Sequence, residues 1–227
     1  MNNQSYSSKL KAIISMGINP LVNATNQLFQ HENFINLFPS YLLSLHWMVR
    51  ASIPLMKEAI IYAEEKQVPK LRCEEFIAYL NKHCIEETDH DKWLLEDLRY
   101  LGISPEDVEK IIPSITVANL VGSQYYWIKH FDPISLIGYI AVIEGNSLSE
   151  PFLQNIKKSS DIPIQAFRTI DQHSKIDKQH ANDLYGLVDC SNLDSQQFAL
   201  IRRSALTTIK HATKLLDDII LGHVDLK

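Results

Sequence analysis

Glycine and proline are scarce, with 7 and 9 among 227 residues. Sandwiches and barrels need frequent turns, so a chain this poor in turn-formers is expected to build a few long helices. Cysteine is scarcer: Cys73, Cys84 and Cys190 are the only three, and no Cys-x-x-Cys pair occurs. Such usage gives no disulfide framework and suits a reducing, cytoplasmic setting. Basic residues never gather, since the longest clusters are Lys157-Lys158 and Arg202-Arg203. Neither can track a phosphate backbone, and the net charge is −5, so nucleic acid is not an expected partner. No run approaches the ~18 apolar residues of a membrane span. Met1 to Lys11 is polar and lacks the apolar centre of a signal peptide.

What is present is an ordinary globular mixture, 45% hydrophobic and 22% charged. A chain of this length can bury a core without disulfides or a structural metal. Without a linker, repeat or low-complexity tract, residues 1–227 read as one domain, with 1–17 as a loosely attached arm. Apolar periodicity predicts a helix near Leu21–Phe29 and a longer one over Glu32–Lys66, kinked or broken at Pro54. A further segment runs from Pro69 to a C-cap at Gly102, and Ser104-Pro105-Glu106-Asp107 opens a short helix. Helices are expected over Pro113–His130 and Pro133–Leu148. A connector after Pro151 leads to a helix over Pro163–Val188, and Ser195 opens a last one that ends before Gly222. The fold class is therefore all-α, a bundle of about seven helices.

Three places carry chemistry. His173, Asp177 and His180 recur at i, i+4 and i+7, which puts two imidazoles and a carboxylate on one helical face. Glu87-x-x-His90 is the unit that di-iron and di-manganese bundles project into their cores. His83 and Glu86 lie on nearly the same face, and Glu86 competes with Glu87 on helical geometry. Glu144 sits in the apolar stretch Tyr139–Glu144, where an acid is costly to bury without a partner. Each has a plain alternative: Glu144 could pair with Lys129 or Arg168, and Asp177 could belong to a solvated face with Lys175 and Lys178. Their conjunction favours metal, because three separate helices each offer ligands. Mixed nitrogen and oxygen donors suit iron or manganese better than structural zinc.

These residues resemble the haem-oxygenase-like superfamily, which includes TenA, PqqC and haem-oxygenase-like di-iron oxidases. His31-Glu-Asn-Phe34, leading into a long helix, is similar to the superfamily's His-x-x-Phe segment. The order Glu87-x-x-His90, Glu144, His173-x-x-x-Asp177-x-x-His180 is similar to the ligand series of the di-iron branch. The resemblance implies one iron held by His90, Glu144 and His173, and another by Glu87, Asp177 and His180, with carboxylate bridging. Some members carry a glutamate where this chain has His83, which leaves the coordination of the second iron open. The implied activity is O2-dependent oxidation or oxygenation of a small amino-acid- or fatty-acid-like substrate. N-oxygenation, oxidative C–C cleavage, desaturation and nitrile formation all fall within it. Two Fe(II) ions, with manganese as the variant, are the implied cofactors, and an external electron donor is an implied partner.

Other residues offer weaker signals. Arg50, one turn after His46, could receive a substrate carboxylate, though a surface ion pair is the plainer reading. Tyr125, Tyr126 and Trp127, just before Lys129, could wall a pocket or simply pack. A TenA-like hydrolase would need an activated cysteine, and Cys73, near a helix start, is the best placed of the three. A haem enzyme would use His31 or His46 as axial ligand, and a metal-free helical binding protein would need no ligand spacing at all. A homodimer is the default for a helical enzyme of this size.

Overall fold

The computed structural model describes residues 4–65 and 70–224, the side chains of 70–73 excepted, so the expectation for Cys73 lies outside the described residues. The described residues contain no strand. In chain order the helices are α1 (Tyr6–Gly17), α2 (Asn19–Phe29), α3 (Phe34–Glu65), α4 (Lys70–Glu86), α5 (His90–Arg99), α6 (Pro105–Val108), α7 (Ile115–His130), α8 (Leu136–Ile143), α9 (Glu150–Ser159), α10 (Arg168–Cys190) and α11 (Ser195–Ile220). Single 3-10 turns at Pro133–Ser135 and Ile164–Phe167 lead into α8 and α10.

The all-α class holds, but there are more helices than seven, for local reasons. Asp89 takes a left-handed backbone, φ 69°, which ends α4 and lets α5 restart at His90. Asp and Asn tolerate that region better than other side chains. The connector after Pro151 is in fact the helix α9, with Pro151 in its first turn and Leu153 and Ile156 buried. Pro54 does not break α3, which stays continuous over 32 residues. Pro54 and Arg50 lie on the exposed side, where water can take the carbonyl that the missing N–H leaves free. Leu55 and Met56, both buried, hold the next turn against the core. Gly102 and Gly222 do end helices at positive φ, and Ser104 and Ser114 cap α6 and α7 by accepting the N–H of Asp107 and Val117.

Residues 6–17 correct the expectation of a loose arm. Helix α1 packs on α10 and α11 with Leu10 and Ile14 buried. The Asp189 carboxylate accepts both the Ser7 N–H, at 3.0 Å, and the Ser7 hydroxyl, at 2.6 Å.

Helix α11 runs against α8, α2 and α7, while α3 packs on α4, α5 and α7. Helix α8 is apolar all round and buried from Leu136 to Val142, as a helix inside a core must be. It lies so close to α11 that a Cβ at Gly138 would come within 2.7 Å of the Ala205 nitrogen. Helix α10 meets α4, α5 and α8. Those four helices, with the residues that directly follow α4 and α8, carry every sequence-predicted ligand.

Candidate metal centre

The centre is assembled at helix ends. His83 and Glu86 occupy the last turn of α4, Glu87 follows it, and His90 opens α5. The Glu-x-x-His unit is therefore not one helical face: its two members project from either side of the turn made by Asp89. Glu144 follows the last turn of α8, with its N–H bonded to the Ile140 carbonyl at 3.0 Å. Helix α10 supplies His173, Asp177 and His180 from one face, as their spacing predicts. Lys175 and Lys178 on the opposite face are exposed, while Asp177 is only 4% exposed. The solvated-face reading of Asp177 therefore fails.

Two groups result. In the first, Glu87, His90 and His173 bring one ligand atom each to within 4.8 Å of one another; in the second, His83, Glu86 and His180 do the same. Glu87 faces both, because its Oε2 accepts from His90 Nδ1 at 3.1 Å and its Oε1 lies 3.9 Å from His180 Nδ1. Glu144 joins the second group, with Oε1 2.7 Å from His83 Nε2 and Oε2 3.4 Å from His180 Nδ1. This division differs from the one the resemblance implies: Glu87 groups with His90 and His173, Glu144 with His180, and His83 is fully part of the constellation. Glu86, one-third exposed at 33%, closes the outer side at 3.6 Å from His83 and 3.7 Å from His180. Lys129 and Arg168 do not neutralise Glu144, since they pair with Glu58 at 2.7 Å and Glu96 at 2.6 Å.

The donors fit a divalent metal. His173 Nδ1 donates to the Thr169 carbonyl at 2.9 Å, which fixes its tautomer and leaves Nε2 as a lone pair. Four buried atoms here, His83 Nδ1, Glu144 Oε2, Asp177 Oδ1 and His180 Nδ1, lack a hydrogen-bond partner. Orphaned buried polar atoms are rare, and a ligand or ion is the usual explanation for a cluster of them. Electrostatics points the same way. Burial and the nearby Glu144 and Glu87 push the Asp177 carboxyl up to about 8. Burial works against the charge of Glu144 too, but His180 and His83 outweigh it and hold that carboxyl below its ordinary value. At His83, burial disfavours the imidazolium, yet the bond to Glu144 prevails and raises its affinity for a proton. Burial lowers that of His173. The site thus holds more carboxylates than its own cations can balance.

Helix α10 is held in place by a residue that the sequence reading passed over. Asp97, fully buried on α5, accepts the Thr169 N–H at 2.9 Å at the start of α10. An acid on the otherwise apolar face of Leu94 and Leu98 was the available signal.

A cavity of about 420 Å³ is lined by Glu87, Glu144, His173 and Asp177 together with residues of α2, α3 and α11. Arg50 is exposed and does not line it, and neither do Tyr125, Tyr126 or Trp127. His46 is buried against the Asp91 carbonyl, 3.1 Å away, and His31 Nδ1 accepts the Asn33 N–H in the turn before α3, so neither faces the cavity. Cys84 and Cys190 also lie off it, and burial pushes both thiols up, away from nucleophilic thiolates. No described helix is long and apolar enough to cross a membrane.

No protein-family model and no curated protein sequence matches the chain. Solved structures do. A domain of unknown function with a haem-oxygenase-like fold from Shewanella denitrificans has a TM-score of 0.75 at 17% identity, over 96% of this chain and 90% of that one. A CADD-like protein of unknown function from Nostoc punctiforme has a TM-score of 0.69 at 14% identity, covering 97% of both. A TenA homologue from Pseudomonas syringae pv. tomato has a TM-score of 0.68 at 11% identity, over 91% and 92%. With three such structures matching along nearly their whole lengths, and with an all-helical chain that threads a short apolar helix through its core, this protein has the haem-oxygenase-like fold.

Proposed function

We propose that this protein is an O2-dependent non-haem di-iron oxidase or oxygenase acting on a small organic substrate. One observation carries the reading: two His/carboxylate groups meet at Glu87, with buried unpartnered donor atoms, beside a cavity that Glu87, Glu144, His173 and Asp177 line. Glu87, His90 and His173 would hold one iron, and His83, Glu86, Glu144 and His180 the other. Asp177 stands beside both as a further ligand or proton carrier. Two ferrous ions bound there supply electrons for the reduction of O2, and an external donor restores them.

The protein's own part follows from its geometry. Glu87 directs one oxygen to each group, which sets the spacing between the two sites. The Thr169 carbonyl keeps the His173 ring turned with Nε2 toward Glu87 and His90. Leu94 and Met48, both buried, line the cavity and keep its wall apolar. Asp177 holds a proton in the metal-free protein and releases it as cations bind.

The test is anaerobic titration of metal-free protein with Fe(II), read by bound iron and by Mössbauer spectra. Two equivalents are expected per chain, with spin coupling between them. His173→Ala should lose the first and His180→Ala the second. Uptake of a single iron, or none, would overturn the di-iron reading.

A further inference from the structure

Helix α10 begins without a cap of its own. Phe167, at its N-cap, makes no side-chain bond, and Thr169 lies in the first turn, whose N–H groups have no partner within the helix. Asp97 of α5 meets that donor instead, with Oδ2 2.9 Å from the Thr169 nitrogen. Asp97 and Thr169 are 0% and 2% exposed, so water cannot replace the carboxylate if it is removed. The other Asp97 oxygen lies 3.7 Å from Arg168 Nε, on the same first turn.

The same two helices carry two of the candidate ligands. His90 opens α5, about 10 Å along the helix from Asp97 and within ~20° of it around the axis. His173 follows Thr169 by one turn, about 6 Å along α10 and again on nearly the same face. The Asp97–Thr169 bond therefore lies on the seam where His90 and His173 meet, their rings 5.0 Å apart. Thr169 belongs to both contacts: its N–H goes to Asp97, and its carbonyl accepts His173 Nδ1–H at 2.9 Å. Sliding or rotating the first turn of α10 would move that carbonyl, and with it the ring that faces Glu87 and His90.

We infer that Asp97 is a positioning residue for the His173 metal site, acting through Thr169. It sets the depth and rotation of α10 against α5, so that His173 keeps one tautomer and directs Nε2 toward Glu87 and His90. This rests on the di-iron reading for the metal, but the tautomer of His173 is a property of the metal-free protein. Glu96 provides the contrast. It joins the same two helices by pairing with Arg168 at 2.6 Å, but both side chains are half-exposed, and such pairs contribute little.

The experiment compares Asp97→Ala, Asp97→Asn and Glu96→Gln with wild type, each checked for an unchanged far-UV spectrum. In metal-free protein labelled with nitrogen-15 at histidine, long-range proton–nitrogen spectra report the tautomer of each ring. His173 should be protonated at Nδ1 alone in wild type, Asp97→Asn and Glu96→Gln, whereas Asp97→Ala should add the form protonated at Nε2. Mn(II) titration followed by EPR measures the two metal sites. Asp97→Ala should weaken the site that His173→Ala removes by about tenfold or more, and change the site that His180→Ala removes by less than about threefold. Asp97→Asn keeps an acceptor oxygen and should bring the first site back to within about threefold of wild type. Glu96→Gln should leave both sites within about twofold. If Asp97→Ala does not fold, Asp97→Ser, whose hydroxyl is one bond shorter than the carboxylate, takes its place. A single His173 tautomer in the folded alanine or serine variant would overturn the inference, and so would equal weakening of both sites. Wild type that takes up neither Mn(II) nor Fe(II) would sink the di-iron reading alone, and the nitrogen spectra would still decide the role of Asp97.

Discussion

Replacing the Asp177 carboxyl by an amide should stabilise the metal-free protein and weaken metal binding, two effects of opposite sign from one substitution. Asp177 is buried, its Oδ1 has no hydrogen-bond partner, and its carboxyl is raised from 3.8 to about 8. A carboxyl raised on folding binds a proton that the unfolded chain releases, so folded-state stability is lost as pH rises from about 3.8 and the loss levels off above about 8. At pH 7 the gap from the unfolded value is about three pH units, a ceiling of ~4 kcal/mol at ~1.4 kcal/mol per unit. Asp177→Asn removes the titration but keeps the volume, and its amide must still find partners. A net gain of ~2 kcal/mol is expected, a rise in Tm of ~4–8 °C for a chain of this size. The assay is thermal unfolding of chelator-treated wild type and variant from pH 5 to pH 8.5, by circular dichroism. The difference should cross zero near pH 5, where the ~1.6 kcal/mol already gained by removing the titration is offset by the cost of burying the amide, and widen in favour of the variant toward pH 8. With saturating Mn(II) or anaerobic Fe(II) the order should reverse, because the wild-type carboxylate then faces cations. A pH-independent difference, or a variant less stable than wild type at pH 7 without metal, would refute the claim that unpaired acid is stored at this centre.

Other consequences are separable from metal. Gly138→Ala should destabilise the fold by ~2–3 kcal/mol in urea unfolding, since the new Cβ meets α11 backbone within 2.7 Å. Gly186→Ala, in a helical position with open space around it, should instead be neutral or stabilise by up to ~1 kcal/mol. Asp189→Ala removes both bonds to Ser7 and should speed amide exchange across Tyr6–Gly17 about tenfold, leaving α3 and α11 protected as before. Replacing Cys73, Cys84 and Cys190 together by serine should leave iron uptake and O2 consumption within twofold of wild type. Loss of activity there would favour a thiol-dependent hydrolase.

Helix class and several helix ends follow from neighbouring residues, which is why they can be read directly. Ser104 before Pro105, Gly102 and Gly222 act through bonds within a few residues. The face shared by His173, Asp177 and His180 is likewise a property of one helix and its period. The turn at Asp89 was harder to read, because nothing in Glu87-Thr-Asp-His90 demands a left-handed residue and the apolar pattern continues across it. The start of α9 was legible in Ser149-Glu150-Pro151 but is easily taken for a connector.

The pairing of His83 with Glu144, 61 residues on, the holding of α10 by Asp97, and the anchoring of α1 through Asp189, 182 residues from Ser7, depend on which helices meet. The division of ligands into two groups depends on the same thing. The sequence by itself determined which residues are able to ligate and which helix faces present them, since those are matters of composition and period. Only the tertiary structure decided their partners, because a side chain's burial and its distance to a group on another helix are set by the packing of the whole core.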